Sequence, residues 1–388
     1  MSSVCETHTL FERRIRYRGC AVAFLMRLFL LGTKRPKGRG SPGPFLLNLD
    51  GTHSPTLDLG TVFSLKNGQC VAVTGMELTL KGIEDAVPVV SEVAFRTPTI
   101  GFESLEGDGP YLKMENLQRL GAFKIRGIWN YVSHLNKAQL ARGLGISSTG
   151  NAGLALAWAA RRLGVRCRVT VPEGADEWRV DLIRKQGAEI EYLSTTEIFK
   201  ILEEETWRSS PLSFINPIGD PRIQAGVGTV GLEILAELPD VGTVLVPVGG
   251  GDLAAGVAVA VKSRRPETKV LGVQAQGAAV LPEALRTGHA YRMKEPPRTI
   301  ADNISTPLML EGTASFLANH LDGCLTVSDD EIMQAIRRLA IEARTVAEPS
   351  GAAAFAAWIS HHPKLDPPVV AIVSGGNVAP ALLAKAIA

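Results

Sequence analysis

Apolar residues recur at helical spacing over residues 78–91, and Arg96-Thr97-Pro98 then marks a turn. From there to the C-terminus, short apolar or alternating runs take turns with longer segments of helical period. Strands are predicted at 111–114, 165–171, 188–193, 244–248 and 369–373. Helices are predicted from Lys124 to about Leu144, at 152–163, 176–186, 197–208 and 253–264, and in the apolar segment opened by Glu348-Pro349-Ser350. Gly164 comes after one of these helices, where a left-handed cap is favoured. Strand, loop and helix in repeated succession predict an α/β fold built on a parallel sheet.

The segments just past the strands are polar or rich in glycine. Gly145 to Asn151 reads GISSTGN, Gly249-Gly250-Gly251-Asp252 comes after the run VLVPV, and Ser374-Gly375-Gly376-Asn377 after 369–373. In an open parallel sheet, ligands sit at the carboxyl ends of strands, where Thr149-Gly150-Asn151, Gly249–Gly251 and Ser374 converge. Successive glycines before a helix let several N–H groups face one anion, so the triple glycine predicts a phosphate site. Any one such turn is equally well an ordinary loop; the three together favour a site. Gly226-Val227-Gly228-Thr229-Val230-Gly231 fits G-x-G-x-x-G, but no apolar strand precedes it, so it is not read as a dinucleotide site. No GK[ST] comes after a glycine loop, which excludes a P-loop.

The chain has 388 residues, 45% of them hydrophobic, enough for two domains with sizeable cores. A net charge of +2, with Lys and Arg spread along the chain, gives no electrostatic case for nucleic acid or a membrane surface and points to a small-molecule partner. Cys5, Cys20, Cys70, Cys167 and Cys324 lie far apart, without zinc spacing or a disulfide framework, so reduced thiols in the cytoplasm are expected. Residues 1–75 differ from the rest. Between Arg13 and Arg39 they carry basic residues and no acidic ones, and the apolar run at 20–31, interrupted by Arg27, is too short to span a bilayer. Two readings fit this segment, a disordered extension and a start assigned upstream of Met76; the second is favoured over both the first and a targeting presequence.

Lys124 lies in YLKMENLQRLGAFKIRG, residues 111–127, and such a lysine alone is most often a solvated cation. Its company changes that. The ordered segments GAFKIRG, SSTGNAG, VPVGGGDLAAG, TIADN, EPSGAAA and SGGN resemble the threonine/serine dehydratase and serine racemase branch of the fold-type II pyridoxal-phosphate enzymes, over residues 76–388. The resemblance implies two open parallel-sheet α/β domains with the cofactor in the cleft between them. A large domain is expected at 76–143 and 221–388, and a small one at 144–220. Lys124 would be joined covalently to pyridoxal 5'-phosphate and would act as the base, with Phe123 against the ring. Asn151 would hydrogen-bond the phenolate oxygen, Gly249, Gly250, Gly251, Asp252 and Leu253 would hold the phosphate, and Ser374 would face the ring nitrogen. A hydroxyl does not keep that nitrogen protonated as a carboxylate would, which favours β-elimination over longer-lived carbanion chemistry. Backbone N–H groups of Ser148, Thr149, Gly150 and Ala152 would bind the substrate carboxylate, with Glu348 near by.

The expected reaction is α,β-elimination from a β-hydroxy amino acid, giving a 2-oxo acid and ammonia. Three rivals stand beside it: a racemase with Thr149 as the opposing acid/base, a β- or γ-replacement enzyme, and a catalytically weak binding homologue. SSTGN is also similar to threonine synthase, but TIADN and EPSGA lie closer to the dehydratases. Departures from the pattern bear on the substrate. Asp252 replaces a fourth glycine and must point away from a phosphate or be neutralised. Ala152 stands for a histidine, Asn303 for a glycine and Ala122 for a serine, which hints at a bulkier or more polar substrate than threonine. Gln274 and Val280 stand where some relatives bind a divalent cation through carboxylates, so no Mg²⁺ or Ca²⁺ dependence is expected there. The chain ends at Ala388, soon after SGGN, so a catabolic or specialised role is expected rather than feedback control. A homodimer is the expected form.

Overall fold

The structure is a computed structural model, and it describes residues 62–66, 69–73, 77–104, 107–148 and 150–388. The chain divides into two units, residues 1–77 and 78–388. The described part of the first is a hairpin in which β1 (Val62–Lys66) pairs antiparallel with β2 (Gln69–Val73). The expectations for the remainder of residues 1–75, for a start at Met76 and for Thr149 lie outside the described residues.

In chain order the second unit contains β3 (Thr99–Ser104), β4 (Gly107–Lys113), β5 (Leu144–Ser147), β6 (Cys167–Pro172), β7 (Glu189–Leu193), β8 (Ser213–Ile215) and β9 (Thr243–Pro247). It continues with β10 (Lys269–Ala275), β11 (Tyr291–Arg292), β12 (Leu308–Met309), β13 (Gly323–Val327) and β14 (Val369–Ile372). The larger sheet has the order β13-β10-β9-β14-β4-β3 and is parallel except for the β3–β4 hairpin at its edge. The smaller sheet, β7-β6-β5-β8, is parallel throughout. β11 and β12 form a separate antiparallel ribbon. The α/β architecture with parallel sheets thus stands as the alternation of elements predicted.

β9 shows why its sequence reads as one continuous apolar run. All its residues are buried because helices cover both faces of the larger sheet. Val244 and Val246 pack into the core shared with Ile83, Val230 and Val257, while Leu245 enters the opposite core with Ile336 and Phe355. The G-x-G-x-x-G segment is likewise explained by packing. It lies inside the helix Pro221–Glu237, where a Cβ on Gly226 would stand 2.6 Å from the Arg126 carbonyl oxygen and one on Gly228 3.0 Å from that of Gly256. Those glycines let helices approach closely.

Two predicted helices are shorter than expected. The helix from Lys124 ends at Ser133, and Asn136 then starts a new one, Lys137–Ala141, through a capping box with Gln139. An Asx cap competes with helix continuation, and Gly143, at φ +80°, turns the chain into β5. In the same way Ser194 caps the helix Thr195–Glu203, and a separate 3₁₀ turn, Thr206–Ser209, completes the stretch predicted as one helix at 197–208. The core beneath the smaller sheet joins Leu144, Ile146 and Val169 to Ile125, Ile128 and Val132 of the helix Lys124–Ser133.

Candidate active site

The lysine segment is fixed by its backbone. After β4 the chain makes two 3₁₀ turns, Glu115–Leu117 and Arg119–Gly121, and Leu120 and Gly121 both adopt left-handed conformations at φ 64° and 72°. The helix Lys124–Ser133 then begins on Lys124 itself. Three hydrogen bonds clamp this turn to the loop after β14. Phe123 N–H donates to the Ser374 carbonyl (3.2 Å), Gly376 N–H to that of Gly121 (2.8 Å), and Asn377 Nδ2 to that of Leu120 (2.7 Å). Ser374 and Lys124 therefore enter one cleft as a unit.

That cleft lies between the two sheets and has a volume of about 160 Å³. Phe123, Lys124, Ser148, Asn151, Ala152, Gly249, Gly250, Gly251, Asp252, Leu253, Glu348 and Ser374 all line it, so the structure brings together nearly every residue the sequence singled out. Gly150 faces a small void behind the cleft, shared with Asn151 and Arg179. The Lys124 amine lies 4.9 Å from the Phe123 ring centroid. Burial lowers its proton affinity, against the opposing pull of Asp252, so the amine is easier to have in its neutral, nucleophilic form.

The glycine cradle precedes the helix Asp252–Lys262, with Gly251 at φ +100°. A Cβ on Gly250 would stand 2.7 Å from Ile218 Cγ1, so the loop passes where a side chain does not fit. Asp252 is 3% exposed and its Oδ1 accepts from Gly219 N–H (2.8 Å) and Gln224 Nε2 (3.2 Å). Burial pushes its carboxyl up to about 6, and Lys124 works against that rise. The carboxylate is thus tied to the 219–224 segment.

On the opposite wall, Asn151 opens the helix Asn151–Leu163 and is held from both sides. Its Nδ2 donates to Glu348 Oε1 (2.8 Å) and its Oδ1 accepts from Asn377 Nδ2 (2.7 Å). Glu348 is 1% exposed, and its Oε2 is buried without a hydrogen-bond partner. Burial pushes the Glu348 carboxyl up to about 7, with Arg179 opposing and Asp302 adding to the rise. Arg179 in turn forms an ion pair with Asp302. Asn303 occupies the space beside Gly150: a Cβ added there would lie 1.9 Å from Asn303 Oδ1.

Several lining residues escaped the sequence reading. Ser350, with a buried hydroxyl that lacks a partner, and Asn377 lie inside quoted segments and were visible in principle. Ile218, Thr306 and Arg179 reach the site from distant loops and helices and carried no local signal. Gln274 is a splint: its Nε2 donates to the Val248 carbonyl (3.1 Å) and its Oε1 accepts from Leu281 N–H (2.7 Å).

A desolvated lysine opposed by a glycine cradle at a helix N-terminus, between two parallel sheets, defines the cleft of a fold-type II enzyme built for an anionic carbonyl cofactor. The family model for the pyridoxal-phosphate dependent enzyme matches residues 90–375, and the chain belongs to that family, in its threonine/serine dehydratase and serine racemase branch. It is 36% identical to the L-threonine ammonia-lyase of Thermotoga maritima over 308 residues, 78% of this chain and 76% of the relative. The crystal structure of a threonine deaminase from T.th. superposes with a TM-score of 0.69 at 35% identity, covering 78% of this chain and 99% of that one. Maize serine racemase superposes with a TM-score of 0.73 at 27% identity, covering 80% and 97%. The residues present fit the cofactor: an amine of lowered proton affinity, glycine N–H groups with no side chain in the way, and the polar groups of Asn151 and Ser374 on the same cavity.

Proposed function

We propose that the protein is a pyridoxal-phosphate dependent ammonia-lyase that removes water from a β-hydroxy amino acid of the threonine/serine kind, releasing a 2-oxo acid and ammonia. The observation that carries this reading is Lys124, whose amine is desolvated at the mouth of the glycine cradle and has no carboxylate at ion-pair distance among the described residues. When bound, the cofactor supplies a sink for the electron pair left on the substrate Cα. Lys124 Nζ would hold it covalently and, once displaced by the incoming substrate amine, would be free as the base that takes the proton from Cα. Phe123 would support the ring, Ser374 would meet the ring nitrogen, and the N–H groups of Gly249 to Leu253 would hold the phosphate. Asn151, steered by Asn377 and Glu348, would bond the ring's oxygen. The N–H groups of Ser148, Gly150 and Ala152 would bind the substrate carboxylate. Burial pushes the Glu348 carboxyl up to about 7, so this wall carries less negative charge than an exposed glutamate would give it. Asn303 narrows the space above Gly150 and favours a substrate able to hydrogen-bond an amide.

The same reading assigns residues 144–220 to the small domain, and 76–143 with 221–388 to the large one. It makes the protein a cytoplasmic homodimer; Phe95 and Leu117, 51% and 52% exposed on segments joined by Gln118, offer an apolar surface for a second copy. No described helix is long and apolar enough to cross a membrane. The test is a panel of serine, threonine, 3-hydroxyaspartate and phenylserine, both enantiomers of each, with 2-oxo acid and ammonia expected in equal amounts. Inverted enantiomer without 2-oxo acid would replace the lyase by a racemase, and no reaction would leave a replacement enzyme or a binding homologue.

A further inference from the structure

The smaller sheet has a second face that the cleft does not use. Along β5 side chains alternate, so Leu144 and Ile146 enter the core while Gly145 and Ser147 line a separate cavity of about 240 Å³. Strand register carries that back face sideways: Ser147 pairs with Thr170 and Thr170 with Glu191, and Gly145 pairs with Arg168 and Phe214. The helix Thr195–Glu203 and the turn Thr206–Ser209 roof it, with Trp207 over the opening. No lining residue is shared with the catalytic cleft.

Two polar groups in this cavity have no partner. The Ser147 hydroxyl, on a residue 6% exposed, and Trp207 Nε1 are both buried without a hydrogen bond. Such groups are few in native proteins and cost roughly 1–3 kcal/mol each when left unpaired. The charged groups of the cavity are Arg168 and Glu191: Arg168 Nε and Nη2 donate to Glu189 Oε2 (3.2 Å each), its Nη1 stands 3.8 Å from Glu191 Oε1, and Thr170 Oγ1 donates to Glu191 Oε2 (2.9 Å). Trp207 and Phe214 stack at 6.3 Å and give the cavity an apolar wall. That wall is preformed, because Arg142 Nη2 donates to the carbonyls of Ser210 (2.6 Å) and Leu212 (3.0 Å) and holds the segment down.

We infer that this back-face cavity binds a small zwitterion with an apolar side chain, a free amino acid that the cleft does not consume. Its carboxylate meets Arg168, its ammonium meets Glu191, and its side chain lies against Trp207 and Phe214. The position gives such a ligand consequence, since Ser147 on this cavity and Ser148 on the cleft are consecutive residues.

The test is calorimetric titration of the full-length, cofactor-loaded protein with L-leucine, which has no β-hydroxyl to lose. The visible spectrum of the cofactor reports the cleft, and the fluorescence change that the native protein shows and Trp207→Phe lacks reports Trp207, one of five tryptophans. Saturable heat with a fluorescence change and an unaltered cofactor spectrum is expected. Arg168→Ala should weaken binding about tenfold, equal to about 1.4 kcal/mol, the value of one charge-assisted contact. Ser147→Leu should fill the cavity and abolish binding. Should Ser147→Leu fail to fold, Arg168→Ala decides, its side chain being 44% exposed. Absence of saturable heat, equal binding in Arg168→Ala, or binding that tracks the cofactor spectrum would each overturn the proposal.

Discussion

Lys113, at the end of β4, has no exposed surface, and its ammonium donates to the Thr97 carbonyl and pairs with Glu233 at 2.8 Å and Glu237 at 3.5 Å. Lys124, two short turns further along the chain, meets a ring face, glycines and a carboxylate already tied elsewhere. The neighbourhood of Lys113 is saturated with charge. Arg126 bonds both oxygens of Glu115 and both of Glu233; burial alone would weaken its hold on its proton, and those carboxylates more than reverse it. A cation taken from water is kept charged where carboxylates surround it, and made reactive where they are withheld. Proximity in sequence says nothing about which will happen; pairing decides.

The sharpest way to break this contrast is to exchange the roles by substitution. Lys124→Ala should lower turnover roughly 10³-fold or more, because one change removes both the anchor and the base. Its melting temperature should stay near that of the native protein. Borohydride treatment should fix the cofactor on Lys124 and on no other lysine. Fixation on Lys113, or elimination at the native rate by Lys124→Ala, would reverse the assignment.

The converse change tests the structural half. Lys113→Met keeps the volume and removes the charge, leaving Glu233 with Arg126 alone and Glu237 with Arg96. Breaking a buried pair by removing one partner costs about 3–5 kcal/mol, and the lower end is expected here because Glu233 keeps one cation. Urea unfolding measures it. Turnover per folded molecule should not change; unaltered stability with lost turnover would make Lys113 part of the site.

The alternation of strands and helices was legible because β9 and β14 are buried on both faces and so spell continuous apolar runs. β8, with three residues, and the antiparallel edge strand β3 leave no such mark. The break at Asn136 was hidden because a capping box and a mid-helix asparagine look alike until the backbone is known. In the site, motif residues were legible because each stands at the end of a strand or the start of a helix. The holding of Asn151 between Asn377 and Glu348, and of Asp252 by Gly219, was not, since those partners lie far away in sequence or are backbone groups. Asp252 is tied back to the 219–224 segment by its bond to Gly219, and its carboxylate still faces Lys124 electrostatically.

Glu348 sharpens the comparison with a carboxylate instead of a lysine, for it is buried beside a cation that is mostly engaged elsewhere. Arg179 lowers its proton affinity from a distance, but that guanidinium is bonded to Asp302, so burial wins and the carboxyl rises from 4.5 to about 7. In the cofactor-free chain between those two pH values, the folded protein holds a proton that the unfolded chain has released. Stability contributed by Glu348 is therefore complete below about pH 4.5 and is lost as pH rises toward 7, by on the order of 3 kcal/mol. Urea midpoints measured across that window should fall with pH for the native sequence and stay nearly flat for Glu348→Gln, an uncharged isostere that keeps the hydrogen bond to Asn151. Arg179→Met should extend the falling limb to higher pH, because the only nearby cation acting on Glu348 among the described residues is gone. A native profile as flat as that of Glu348→Gln would mean that the carboxylate is charged throughout and that Arg179 reaches it as fully as Glu233 reaches Lys113.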